Sequence, residues 1–441
     1  MGELPAVAAG ACITLEYIVT ASAVARSWGD KVAAFIITNY SNEDKSDFIS
    51  IMLTPGYGIN PMAFLVSLVS VSLLLLGVKE SKHVTNVFTL LKIALITLMS
   101  IVSLSLMKRE NLFPLLPKKF GLAGILRGST SSFFGYIGFD EICCMGGEVV
   151  NPNKNLPRAV MGTISLVTVL YIVAAIGLVG MVPYQHISVT SGFPDGFRYR
   201  GYDLIAQITA LGEIITLPIV VMVTIMAQPR LQFAMAQDGL LPPIFSLVDE
   251  TGNLFHGTLI AGIAMIVIAT CVPFTSLNDL ISVGVLTAFT MTCASVVLLR
   301  CQSPKDQPSL LKKSLVQFNC LSLTMGLLVQ ICDFGMMGQL LTLINALMLL
   351  ALVIRIGSSC PKIIETDDST YFQTPWVPYL PLIAQFLNCY LIGQLGLFSI
   401  ILLVGYIGTA ILLYTIFVRN KYTPSDSDSN SNLMVLIDQD L

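Results

Sequence analysis

Three ionisable side chains stand inside otherwise apolar runs: Glu16 in "ACITLEYIVT", Lys92 in "FTLLKIALI" and Glu213 in "ALGEIITLPIV". A charge at that depth in a membrane is costly and is by default a functional candidate. Lysine suits proton coupling, because at low dielectric it can exchange between charged and neutral forms near physiological pH. The plainer alternative is an ion pair of Glu16 with Lys92 that ties two helices together, and Glu213 reads as structural.

A second signal is "FFGYIGFDEICCMGGEVVNPNKNLP" (133–157), where Gly135 and Gly138 bracket Tyr136-Ile137 ahead of an acidic pair. Non-helical backbone survives in hydrocarbon only where it lines a cavity or is buried in protein. Carbonyls freed there can receive a substrate ammonium, as in the discontinuous helices of secondary transporters. Ordinary glycine packing between helices stands beside that reading. Intramembrane aspartyl proteolysis does not fit: Asp140 in "GFD" and Asp203 in "GYD" fall at opposite membrane faces and cannot share a water. No Ser/His or metal-ligand cluster lies in the apolar runs, the ten cysteines form no CxxC, and neither enzyme chemistry nor a metal or cofactor is expected.

The elements that must position these residues are membrane helices. The chain is 54% hydrophobic and 12% charged over 441 residues, far more apolar sequence than a soluble core can absorb. About twelve spans are expected, near 5–26, 61–78, 84–106, 123–145, 159–182, 203–227, 257–273, 279–300, 315–334, 337–355, 377–393 and 396–418. The last two are divided at Gly393-Gln394-Leu395-Gly396. The fold class is therefore all-α and polytopic, with a transmembrane domain over 1–418 and a disordered cytoplasmic tail over 419–441. Met1-Gly2-Glu3 leads into a span with no basic n-region, so no cleavable signal is expected. With the N-terminus inside, 13 Lys and Arg lie inside against 10 outside, a small bias toward that orientation. The sequon Asn39-Tyr40-Ser41 then falls in an outer loop, 27–60, as a glycosylation acceptor. The net charge of −3 gives no sign of nucleic-acid binding.

The strings "GFDEICCMGGEVVNPNKNLPRAV", "VLYIVAAIGLVGMVPY" (169–184) and "QPRLQFAMAQDGLLPPIF" (228–245) resemble the amino acid–polyamine–organocation superfamily, and within it the cationic amino acid transporter branch. "GELPAVAAGACITLEYIVTASAVARSW" and "GVKESKHVTNVFTLLKIA" fit as well, and the resemblance covers nearly the whole chain to about residue 418. It implies two inverted five-helix repeats, each opening on a helix broken around the substrate. Here the likeness begins at the family's third helix, so the first repeat is expected to be incomplete, with two helices preceding Met1.

Carried over, Phe133, Phe134, Gly135 and Ile137 would line the substrate pocket and offer backbone carbonyls to the amino group. Lys92 matches a lysine that replaces sodium in proton-coupled members, and Glu16 an acid that can pair with it. Pro218-Ile219 stand where many relatives carry Thr-Ser hydroxyls, which argues against a sodium cage. The resemblance thus implies a multi-pass membrane protein moving amino acids as its small-molecule substrate, cationic ones first, through the lipid bilayer of the plasma membrane rather than the endolysosome. Protons are its possible coupling ion. A non-transporting membrane partner or regulatory subunit, or an inactive truncated product, is the alternative.

Overall fold

A computed structural model describes residues 2–40, 51–56, 58–77, 82–115, 121–144, 146, 149–188, 191–249, 252–331, 336–363, 372–395 and 397–419. Among them the protein is all-α, with one isolated antiparallel bridge, Cys301 to Lys362, in place of any sheet. The helices are α1 (Glu3–Tyr40), α2 (Pro61–Leu75), α3 (Lys82–Ser105), α4 (Gly121–Ser132), α5 (Glu141–Cys144), α6 (Pro152–Met181) and α7 (Gly192–Tyr199). They continue with α8 (Asp203–Gln237), α9 (Phe255–Cys271), α10 (Phe274–Arg300), α11 (Leu310–Ile331), α12 (Met336–Ser359), α13 (Tyr379–Gly393) and α14 (Leu397–Leu413). Seven of the described helices are long and apolar enough to cross a bilayer, and α2, α9 and α13 are shorter apolar helices. The protein is an integral, multi-pass membrane protein.

The expected spans and the observed helices coincide closely, including the interruption between α13 and α14. Several boundaries move: α6 begins at Pro152, α8 runs on to Gln237, α10 begins at Phe274, and α4 ends at Ser132. Residues 27–40, read from sequence as the start of an outer loop, continue α1 as helix, and 192–199, in the expected outer loop between the 159–182 and 203–227 spans, form α7. Helix α1 stays regular past Arg26 because polar partners take up its buried charges. Arg26 donates to the carbonyls of Gly58 (2.6 Å) and Thr270 (3.1 Å) and pairs with Asp30 at 3.5 Å. Asn60 donates to Asp30 at 2.7 Å and, through its own Oδ1, caps the start of α2 by accepting from Ala63 N–H at 2.9 Å. Pro61 at the first position of α2 completes a normal helix start. The tail beyond residue 419 lies outside the described residues.

Helix α1 is central. It packs against α2, α8, α9, α10 and α14. One apolar cluster joins Ala21 and Ala25 of α1 to Val66 and Val71 of α2, Val221 and Ile225 of α8 and Met265 of α9. Another joins Val19 and Ala23 to Leu277, Ile281 and Val285 of α10. Small residues on α1 let these backbones approach, which is how helices associate where lipid is as apolar as the side chains.

Candidate functional site at the broken helix

The segment after α4 is not a continuous helix. Phe133–Tyr136 form a 3-10 turn, Ile137 is extended (φ −63°, ψ 143°), and α5 resumes only at Glu141. Gly138 has φ +102°, a conformation that a Cβ disfavours, so this residue fixes the break. Gly135 acts differently. It is exposed, and a Cβ there would sit 3.0 Å from the Tyr171 ring of α6.

Aromatic rings pin the break between helices. Phe133 meets Phe289 edge-on at 6.3 Å, Phe134 meets Phe274 at 5.5 Å, and Phe139 meets Phe289 at 5.4 Å, all on α10. Tyr136 meets Tyr171 on the other side at 5.7 Å. Phe133, Phe134 and Ile137 also pack on the cluster built by Val19, Ala23 and Ile281. Of the expected site residues, these three and Gly135 thus lie together at the break. One carbonyl there is in use, since Phe134 O accepts from Ile137 N–H at 3.3 Å.

Below the break the chain places carboxylates. Tyr17 of α1, 2% exposed, donates to Asp140 Oδ2 at 3.0 Å and lies 3.3 Å from Cys144 Sγ. Glu16, next to it, is fully buried, and neither of its oxygens has a hydrogen-bond partner. Asp140 Oδ1 and Glu141 Oε1 are likewise buried and unpartnered. Tyr17 links the helix of Glu16 to Asp140, and the Glu141 carboxylate folds back to 3.8–3.9 Å from where a Gly138 Cβ would stand. Buried carboxylate oxygens without a partner are costly, and the group is suited to a cationic ligand.

Lys92 is elsewhere. It lies on α3, which packs against α6 and α8; neither oxygen of Glu16 has a partner, and Glu213 of α8 is ion-paired with Lys31 of α1. Glu16 and Lys92 are therefore not brought together. Sequence reading missed the Glu16–Asp140–Glu141 group, although "GFDE" directly after the glycines and "EY" on the first helix were the signals for it. Asn39 is exposed in the last turn of α1, its side chain donating to Phe35 O at 2.9 Å.

Comparison with known proteins decides the family. The amino acid permease model matches residues 1–371. The chain belongs to the amino acid permease family. It is 34% identical over 316 residues to the methylthioribose transporter of Bacillus subtilis (strain 168), covering 70% of this chain and 67% of that one. It is 30% identical over 320 residues to the mitochondrial cationic amino acid transporter 3 of Arabidopsis thaliana, covering 70% of this chain and 51% of the relative. With the chloroplastic cationic amino acid transporter 6 of the same plant it shares 26% identity, over 98% of this chain and 75% of the relative. The permease thus spans from about half to three quarters of the length of these relatives. All three are named as transporters, not enzymes.

Proposed function

We propose that this permease moves amino acids across the membrane by alternating access, that cationic amino acids are preferred, and that the substrate binds at Phe133–Ile137. The observation that supports this is the set of uncompensated carboxylates, Glu16, Asp140 and Glu141, beside a helix break. A neutral amino acid offers a single ammonium, which the backbone at the break can take. Arginine or lysine brings a second cation, which the unpartnered oxygens of Glu16, Asp140 and Glu141 could receive. The two Arabidopsis relatives carry the cationic label in their names.

Lys92 serves as the fixed cation whose proton exchange accompanies transport, in place of sodium. Pro218 and Ile219 sit within continuous α8 and bring no hydroxyl for a sodium cage. The protein works at the plasma membrane, with the 27–60 segment outside and Asn39 glycosylated.

The test is uptake of labelled arginine, lysine and alanine by the full-length protein in liposomes under a proton gradient. Arginine and lysine should enter ahead of alanine, and replacing sodium by choline should change nothing. Equal uptake of alanine removes the cationic preference. Uptake of none of the three favours the partner-subunit reading.

A further inference from the structure

Glu213 occupies a junction of three helices. Its Oε2 forms an ion pair with Lys31 of α1, and one residue on, the Ile214 carbonyl accepts from Trp28 Nε1 at 2.9 Å. On its other side, Gly212 lies so close to α3 that a Cβ would meet the Leu95 methyl groups at 2.7 Å. Lys92 is three residues before Leu95, so it rides on the same face of α3 one turn away. The charge of Glu213 reaches it there.

The surroundings make Glu213 the meeting point of two lysines. Between Asp203 and Arg230, α8 carries no other charge. Of the helices packed on α8, α2 has no charged residue and α9 has only His256, in its first turn. Helix α7 has Asp195 and Arg198 paired with each other at 3.1 Å, and α5 has Glu141, which belongs to the acidic group at the break. From α1, Arg26 and Asp30 are engaged with one another and with Asn60. Lys31 is the ion-pair partner of this carboxylate, and Lys92 lies one turn from the contact of Gly212 with Leu95.

We propose that Glu213 is the positioning residue for Lys92, one carboxylate shared between Lys31 of α1 and Lys92 of α3. The shared anion holds the Lys92 ammonium in place and ties α3 to the α1–α8 pair. The idea rests on the transport reading only for its functional consequence; the charge sharing itself can be tested without transport.

The experiment uses full-length protein and a double-variant cycle of Glu213→Gln with Lys92→Met, read both as melting temperature in detergent and as gradient-driven arginine uptake in liposomes. Glu213→Gln should lower uptake about tenfold, a coupling typical of residues in one charge network. Equilibrium arginine binding should remain. Glu213→Asp should restore uptake, and Glu213→Gln should cost less in the Lys92→Met background than in the native protein. Lys31→Met should lower uptake less than Glu213→Gln does, because Glu213 still holds Lys92. Additive effects of Glu213→Gln and Lys92→Met overturn the proposal. So does a loss in Lys31→Met equal to that in Glu213→Gln, which would make Glu213 a clip between α1 and α8 only. Should the native protein carry no arginine at all, the transport reading fails, and the melting-temperature cycle still decides whether Glu213 and Lys92 act together.

Discussion

Replacing Gly138 by alanine isolates the backbone conformation at the break from everything else there. The nearest atoms to a Cβ at this position are those of the Glu141 carboxyl group, at 3.8–3.9 Å, which is ordinary contact. No clash is introduced, and the cost comes from φ +102° alone. A non-glycine residue held in such a region costs about 1–3 kcal/mol. If the open turn is the form that binds substrate, its population falls by that amount, and the apparent affinity falls with it by about five- to hundredfold. Gly135→Ala has a different origin of cost. Its backbone is unstrained, and the new methyl would press on Tyr171 Cε2 at 3.0 Å, so trimming the ring with Tyr171→Leu should relieve it. The assay is arginine binding to purified protein in detergent, with membrane insertion checked for each variant. Native affinity in Gly138→Ala would refute the claim that this turn forms the site, and failure of Tyr171→Leu to relieve Gly135→Ala would refute the packing role of Gly135.

Tyr17→Phe removes the donor to Asp140, leaving a buried carboxylate without it, at a cost of about 1–3 kcal/mol; a lowered melting temperature and weaker arginine binding should follow, with a smaller further loss when Asp140→Asn is added. Asn39→Gln should speed the protein's migration on a gel to the position reached after glycosidase treatment, and unchanged mobility would remove Asn39 from the outer glycosylated surface.

The spans were legible because apolar length is set by bilayer thickness, and the chain has few charges to blur the runs. The division of residues 381–418 at Gly393 could be read from length and glycine alone. The break at Phe133–Asp140 was legible in part. Two glycines mark it, but only coordinates separate Gly138, which needs its positive φ, from Gly135, which faces a ring. The pairing of charges was not legible. Nothing in "SWGDKVAAFIITNY" marks a helix end, and with α1 closed too early Lys31 looked like a loop cation. Which acid meets which lysine depends on helix rotation, and hydropathy is silent on rotation because polar and apolar faces differ little in a membrane helix.

Once α1 is taken as one continuous helix, Glu16 and Lys31 stand in two separate systems, with the Arg26–Asp30–Asn60 contacts between them. Glu16 belongs to the carboxylates at the break, and Lys31 to the junction with Glu213 and Lys92. The two positions are 31 − 16 = 15 residues apart, about 22 Å along the axis. Direct electrostatic action between them is weak at that separation, so any coupling between substrate charge and Lys92 must travel through the packing of α1 itself. That packing is built from Ala21 and Ala25 on one face and Val19 and Ala23 on the other, all of them buried between the two charge systems. A bulky residue at Ala21 or Ala23 would therefore push α1 away from α8 or α10 and disturb both systems at once. A charge substitution within either system should leave the other intact. Glu16→Gln should weaken arginine binding and spare the Glu213–Lys92 cycle, whereas Ala23→Leu should impair both; a Glu16→Gln variant that abolished the Glu213–Lys92 coupling would place the two systems in one network and contradict this division.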